Sequence, residues 1–114
     1  MSVPAQDYRA PITAATGTPS PMSEMITRHL SIRGRVQGVG FRNYMAYKAQ
    51  QLGICGWVRN RADGSVEAMV HGSAAAVAAI VERAQRGPRA AQVTAVVVSV
   101  GTGTYAAFET RGTE

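Results

Sequence analysis

Hydrophobic and polar residues alternate along the segment that begins near Ile26. Leu30, Ile32, Gly34 and Val36 fall on one side, and Ser31, Arg33 and Arg35 on the other. This period of two predicts a half-buried strand. After a glycine-rich loop the period changes. Met45, Ala49 and Leu52 are spaced by four and three, which places them on one face of a helix over residues 43–52. Gly53 is suited to end it. Residues 54–60, with Trp57 and Val58, read as a second strand. Asp63-Gly64 supplies the positive φ of a tight hairpin. Alternation then returns over residues 65–71, with Val66, Ala68 and Val70 facing one way and Glu67, Met69 and His71 the other. Ser73 is a suitable N-cap for a second helix that runs to Arg86. Val77, Ile80, Val81 and Ala84 form its apolar stripe, and Gly87-Pro88 stops it. Residues 93–100 are strongly β-branched and read as a strand. A short last strand is expected around residues 107–111.

The order is therefore β-α-β-β-α-β with a further short strand. It predicts an α+β fold: a ferredoxin-like two-layer sandwich, its sheet mainly antiparallel, with both helices on one face. Residues 1–25 are rich in Pro, Ala, Ser and Thr, and Pro4, Pro11, Pro19 and Pro21 interrupt any helix or central strand. They are expected to form a flexible leader, or to reflect a misassigned start, ahead of a folded domain over residues 26–114.

Between the first strand and the first helix lies Gly34-Arg35-Val36-Gln37-Gly38-Val39-Gly40-Phe41-Arg42. Glycines let a backbone turn tightly and approach a ligand closely. Several N–H groups can then converge on one anion. A helix that starts at the end of such a loop adds its unpaired N–H groups and the positive end of its dipole. Arg42 adds a planar, permanent cation suited to a phosphoryl group. The loop is not a nucleotide P-loop, because no Gly-Lys-Ser/Thr follows, and it lacks a dinucleotide fingerprint.

Composition narrows the setting. The chain has 114 residues, enough for one domain with a modest core. Its net charge of +5 favours anionic partners. The basic residues are scattered, which weakens a nucleic-acid reading. The single cysteine, Cys55, permits no internal disulfide and forms no metal-ligand cluster. Without a membrane-length apolar run or a signal-like N-terminus, the cytoplasm is the expected location.

Two motifs now carry a resemblance. The glycine loop with Arg42, followed by Ala49, then Gly56-Trp57-Val58-Arg59-Asn60 and Asp63-Gly64-Ser65-Val66-Glu67, closely resembles the acylphosphatases over residues 30–111. Gly87-Pro88 and Phe108-Glu109-Thr110-Arg111 are similar to that family too, although Thr110 stands where an apolar residue is more usual. The resemblance implies a small ferredoxin-like hydrolase that splits carboxyl-phosphate anhydrides into carboxylate and inorganic phosphate, with no metal or organic cofactor. It implies that Arg42 binds phosphate and that Asn60 holds the attacking water. It also implies that Gln37, Gly38, Val39, Gly40, Phe41 and Arg42 bind the phosphoryl oxygens, largely through backbone N–H groups. The expected partners are the acyl phosphate and phosphate, as product or inhibitor. No membrane or nucleic acid is expected, and the chain is expected to act as a monomer.

The chemistry is coherent. An acyl phosphate is already activated, so hydrolysis needs a water placed in line with phosphorus and charge managed on the phosphoryl oxygens. An amide accepts a proton from water without acting as a strong base, so Asn60 is expected to position rather than deprotonate. Other residues read as structural. Trp57, Phe41 and Cys55 are expected to pack, His29 and His71 to be strand residues, and Arg33, Arg35, Arg59 and Glu67 to share a solvated open face. Asp63 is expected to serve the turn, so Asp63 and Glu67 do not form an acid–base pair. Two alternatives stand beside the enzyme: a non-catalytic phosphate- or carbamoyl-phosphate-binding module, and an RNA-binding sheet. The second is disfavoured because the central strands offer no stacking aromatics.

Overall fold

The computed structural model describes residues 25–114. The expected leader lies outside the described residues, save for Met25, which opens the first strand. The elements are β1 (Met25–Arg35), α1 (Phe41–Leu52), β2 (Cys55–Asn60), β3 (Val66–Ser73), α2 (Ala74–Arg86), β4 (Gln92–Val100) and β5 (Phe108–Thr110). The strands form one sheet in the order β4-β1-β3-β2-β5. Every neighbouring pair is antiparallel except β2 with β5, which is parallel. This is the ferredoxin-like sandwich that the patterning predicts.

The core lies between the sheet and both helices. Leu30 and Ile32 of β1, Val58 of β2, and Val66, Ala68 and Val70 of β3 are fully buried. They pack in one cluster with Phe41, Met45 and Ala49 of α1 and with Val77, Ile80 and Ala84 of α2. Because both helices contribute to a single cluster on one side of the sheet, they share that face. Each large side chain so buried is worth about 1.5–3 kcal/mol relative to exposure. The alternation on β3 is complete, with Val66, Ala68, Val70 and Gly72 buried and their neighbours half-exposed. The helix ends follow their local chemistry. Ser73 accepts a hydrogen bond from the Ala76 backbone N–H at 3.1 Å, and Gly53 ends α1 in a left-handed conformation.

Two local features differ from the pattern. α1 begins at Phe41, two residues earlier than the periodicity places it, so Arg42 lies in its first turn. The apolar face of β1 also stops counting at Gly34. A register shift falls between Arg33 and Gly34, where β1 pairs with β4. A Cβ at Gly34 would lie 2.1 Å from the Gln92 carbonyl oxygen, and its φ of 123° is strained for other residues. Gly34 therefore occupies a bulge rather than a side-chain position, and the bulge turns the chain toward the loop. Gly34→Ala should destabilise the fold by at least about 2 kcal/mol. Gly112→Ala, which meets nothing within 4 Å, should cost less than about 0.5 kcal/mol. Urea unfolding midpoints of the two variants check this contrast.

Candidate active site

The loop from Val36 to Gly40 delivers the chain into α1 without a conventional cap. The N-cap is Gly40, at φ 80° in the left-handed region, and among the described residues no side chain closes the helix end. The first turn carries no acidic residue. Among the described residues, no backbone N–H from Gly38 to Asn43 donates to a protein acceptor; the first such bond runs from Tyr44 N–H to the Gly40 carbonyl at 3.0 Å. A run of consecutive donors at the positive end of a helix is an anion site in waiting. A Ser or Asp cap would have consumed part of it.

A cleft of about 230 Å³ opens here, and its wall comprises Val36, Gly38, Gly40, Phe41, Arg42, Asn43, Asn60 and Thr110. Arg42 and Asn60 thus meet at one cleft although they stand on different elements. Asn60 ends β2 on the face of Val58, the side that looks toward the helices. Among the described residues its side chain makes no hydrogen bond to protein; its backbone carbonyl accepts from Glu114 N–H at 3.0 Å. Arg42 donates from Nη1 to the Arg111 carbonyl at 2.9 Å. That bond fixes one edge of the guanidinium and leaves it without a carboxylate partner among the described residues. The C-terminal segment is in turn held to β2, with Arg111 N–H donating to the Val58 carbonyl at 2.8 Å.

Gly38, Gly40, Phe41 and Arg42 of the expected binding set line the cleft, as does Asn60. Gln37 and Val39 do not form its wall. Val39 packs against the core, and the Gln37 carboxamide donates to the carbonyls of Arg61 and Ser65 at 2.7 and 2.9 Å. Phe41 is buried beneath the loop, as its pattern suggests. The sequence reading does not find Thr110, Asn43 or Val36 as cleft residues. Thr110 reaches the site because β5 pairs in parallel with β2, placing Thr110 beside Val58. That pairing joins distant segments and leaves no local signal.

The open face of the sheet is a paired charge field. Glu67 takes hydrogen bonds from Arg59 at 2.7 Å and Arg61 at 3.2 Å and shares one with His29 at 2.6 Å. Arg33 and Arg35, expected to join this field, are exposed and form no ion pair among the described residues. The guanidinium carbons of Arg59 and Arg111 each lie 4.8 Å from the Trp57 ring centroid, so Trp57, itself buried, packs under cations on the open face of the sheet. Asp63 serves the turn, accepting from the Ser65 backbone N–H and hydroxyl at 2.9 and 2.6 Å. Those bonds hold its carboxyl below the usual value. Tyr44 is pushed up by burial and donates its hydroxyl to the Arg83 carbonyl at 2.9 Å. Among the described residues, no three His, Cys, Asp or Glu side chains gather as metal ligands. None of the described helices is long and apolar enough to cross a membrane.

A family model described as acylphosphatase matches residues 28–110. The chain belongs to the acylphosphatase family. A curated acylphosphatase from Thiobacillus denitrificans is 55% identical over 87 residues, covering 76% of this chain and 98% of the relative. Among solved structures, the acylphosphatase from Bacillus subtilis aligns with a TM-score of 0.72 at 32% identity, covering 75% of this chain and 98% of that one. The acylphosphatase from Coxiella burnetii aligns with a TM-score of 0.76 at 29% identity, covering 82% and 100%. The described residues therefore carry the ferredoxin-like fold of the acylphosphatases.

Glu67 gives this fold a defined acid response. Burial acts to raise its pKa, but the hydrogen bonds from His29 and Arg59 outweigh it, and the folded value lies below the ordinary 4.5. A depressed carboxylate contributes stability that is present above its unfolded value and is lost as pH falls through the folded value. Glu67→Gln should therefore flatten the acid limb of the stability–pH curve, from the ordinary carboxylate range downward. Denaturant unfolding across that range measures it.

Proposed function

We propose that this protein is an acylphosphatase, a hydrolase that cleaves carboxyl-phosphate anhydrides to carboxylate and inorganic phosphate. The observation that carries the reading is the meeting at one cleft of Arg42, of backbone N–H groups at the start of α1 without a protein acceptor among the described residues, and of the Asn60 carboxamide, equally uncommitted among them. A phosphate-binding module needs only the first two. The Asn60 side chain, brought to the cleft by another strand, is the feature that a hydrolase adds. The high coverage of curated acylphosphatases supports the same conclusion.

In this mechanism the loop that opens at Gln37 and the first turn of α1 receive the phosphoryl oxygens. Their N–H groups and the helix dipole stabilise negative charge. Arg42, held by the Arg111 carbonyl, keeps donors free for two oxygens at once. Asn60 accepts a hydrogen bond from a water and orients its lone pair at phosphorus, opposite the carboxylate that leaves. The water forms the new P–O bond as the P–O bond to the acyl group breaks. The acyl oxygen departs as carboxylate with that electron pair, and the proton of the attacking water passes to a phosphoryl oxygen. The reaction so written uses no metal ion. The proposed setting is the cytoplasm, where the protein acts as a monomer on small acyl phosphates.

Losing one donor aimed at a transition state lowers turnover about 10²–10³-fold. Arg42→Ala should lose at least that much in kcat/KM for a simple acyl phosphate, and Arg42→Lys should recover little, because the planar fork is gone. Asn60→Ala should lower kcat while leaving competitive inhibition by inorganic phosphate within a few-fold of wild type. Steady-state assays with a chelator present test all three points. A wild-type rate no higher than background would leave only phosphate binding, and activity abolished by the chelator would overturn the metal-free mechanism.

A further inference from the structure

Gln37 occupies the start of the glycine loop, yet its side chain points away from the cleft. Its single NH₂ group donates two hydrogen bonds, to the Arg61 carbonyl at 2.7 Å and to the Ser65 carbonyl at 2.9 Å. Those carbonyls are the two ends of the β2–β3 turn. The turn is already tied across itself: Arg61 N–H donates to the Ser65 carbonyl at 2.8 Å, and Gly64 N–H to the Arg61 carbonyl at 3.1 Å. Asp63 stiffens it further, its carboxylate holding the Ser65 N–H and hydroxyl. The turn is therefore a stiff body, and Arg61 is the residue that directly follows Asn60. Among the described residues, the two bonds from Gln37 are the only hydrogen bonds between residues 36–43 and residues 59–66.

We infer that Gln37 is a positioning residue that sets the distance between the phosphoryl-binding loop and Asn60. This rests on the acylphosphatase reading of the cleft. Gln37 acts through its neighbours: its backbone leads into Gly38, and its carboxamide grips the carbonyl one residue beyond Asn60. The chemistry of the grip is specific. Two carbonyl acceptors converge on one NH₂, which an amide satisfies with both protons. A carboxylate of the same shape offers no proton at neutral pH and repels both carbonyls. Asparagine is one methylene shorter and loses the reach.

The phosphoryl donors all belong to the loop and α1, so they stay together when the link is cut. What changes is where Asn60 stands relative to them. A displacement of about 1 Å at a reacting group can cost on the order of 10²-fold in rate. Gln37→Met, which keeps the length and removes both hydrogen bonds, should lower kcat for a simple acyl phosphate about 10–100-fold while KM and inhibition by inorganic phosphate stay within a few-fold. Gln37→Glu should behave at least as severely. In an Asn60→Ala background, Gln37→Met should have little further effect on kcat, because the residue it positions is gone.

Assays are run well below each variant's melting temperature. The side-chain NH₂ signals of Asn60, followed by NMR in the ligand-free protein, give a readout that needs no turnover; they should move in Gln37→Met. A variant that melts earlier but keeps wild-type kcat and unmoved Asn60 signals overturns the inference and makes Gln37 a purely structural tie. Equal losses of kcat and phosphate affinity also overturn it, since Gln37 would then shape the loop itself. An inactive wild type would sink the acylphosphatase reading alone, and the Asn60 signals would still decide whether Gln37 sets its position.

Discussion

The site depends on a helix that begins without a cap. Most helices close their first turn with a side-chain acceptor, and losing one costs about 0.5–2 kcal/mol. α1 instead starts from a left-handed glycine, with no capping side chain among the described residues and no acidic residue in the first turn. It forms because Phe41, Met45 and Ala49 are buried against the sheet, which supplies more than a cap would. Packing holds the helix in place and its N–H groups stay available. Under the proposed function an anion at the cleft is their acceptor and meets the positive end of the dipole.

The sheet brings the other groups to that helix end. β1 and β3 form the middle of the sheet, and the bulge at Gly34 turns the chain out of β1 into the loop. β2 lies next to β3 and ends at Asn60, on the cleft that the loop also lines. β5 adds to the far edge of β2 in parallel, setting Thr110 on the cleft and the Arg111 carbonyl against Arg42. Three segments distant in sequence therefore converge: β2 and β5 are fixed by sheet hydrogen bonds, and the loop is tied to the β2–β3 turn by the Gln37 carboxamide. This rigidity matters because reactive geometry tolerates little misplacement.

Much of this was legible in the residues because the signals are local. The period of two in β1 and β3, the stripe on α2, the Ser73 cap and the Asp63-Gly64 turn each act over a few positions, and each element appears where its pattern lies. The glycine loop with Arg42 and the motif ending at Asn60 were legible as two short, distinctive motifs, and the fold brings both to one cleft. What the local pattern does not carry is non-local. Gly34 has the spacing of a core position but sits in a bulge, a fact set by the Gln92 carbonyl across the sheet. The role of Thr110 depends on a parallel pairing with β2. Glu67 was legible as an open-face charge, but not its bond to His29, which requires the β1–β3 register. Trp57 reads as a packing residue in sequence, and only the sheet shows that it packs under two arginines.

The distribution of charge explains how a protein with net +5 keeps the cation on the cleft distinct from the rest. Arg59 and Arg61 are engaged by Glu67, and Arg111 by Glu109. Among the described residues, Arg42 is the one charged side chain on the cleft wall, and its bond goes to a neutral carbonyl that orients it without neutralising it. A carboxylate in that place would compete with the phosphoryl group and weaken the site. Yet charge alone binds substrate and product phosphate alike, and binding both equally does not lower the barrier between them. Under the proposed mechanism the difference must come from what the anion site lacks: a water aimed at phosphorus. That puts the burden of catalysis on the separation between α1 and the end of β2, a distance that the anion-binding N–H groups do not themselves fix.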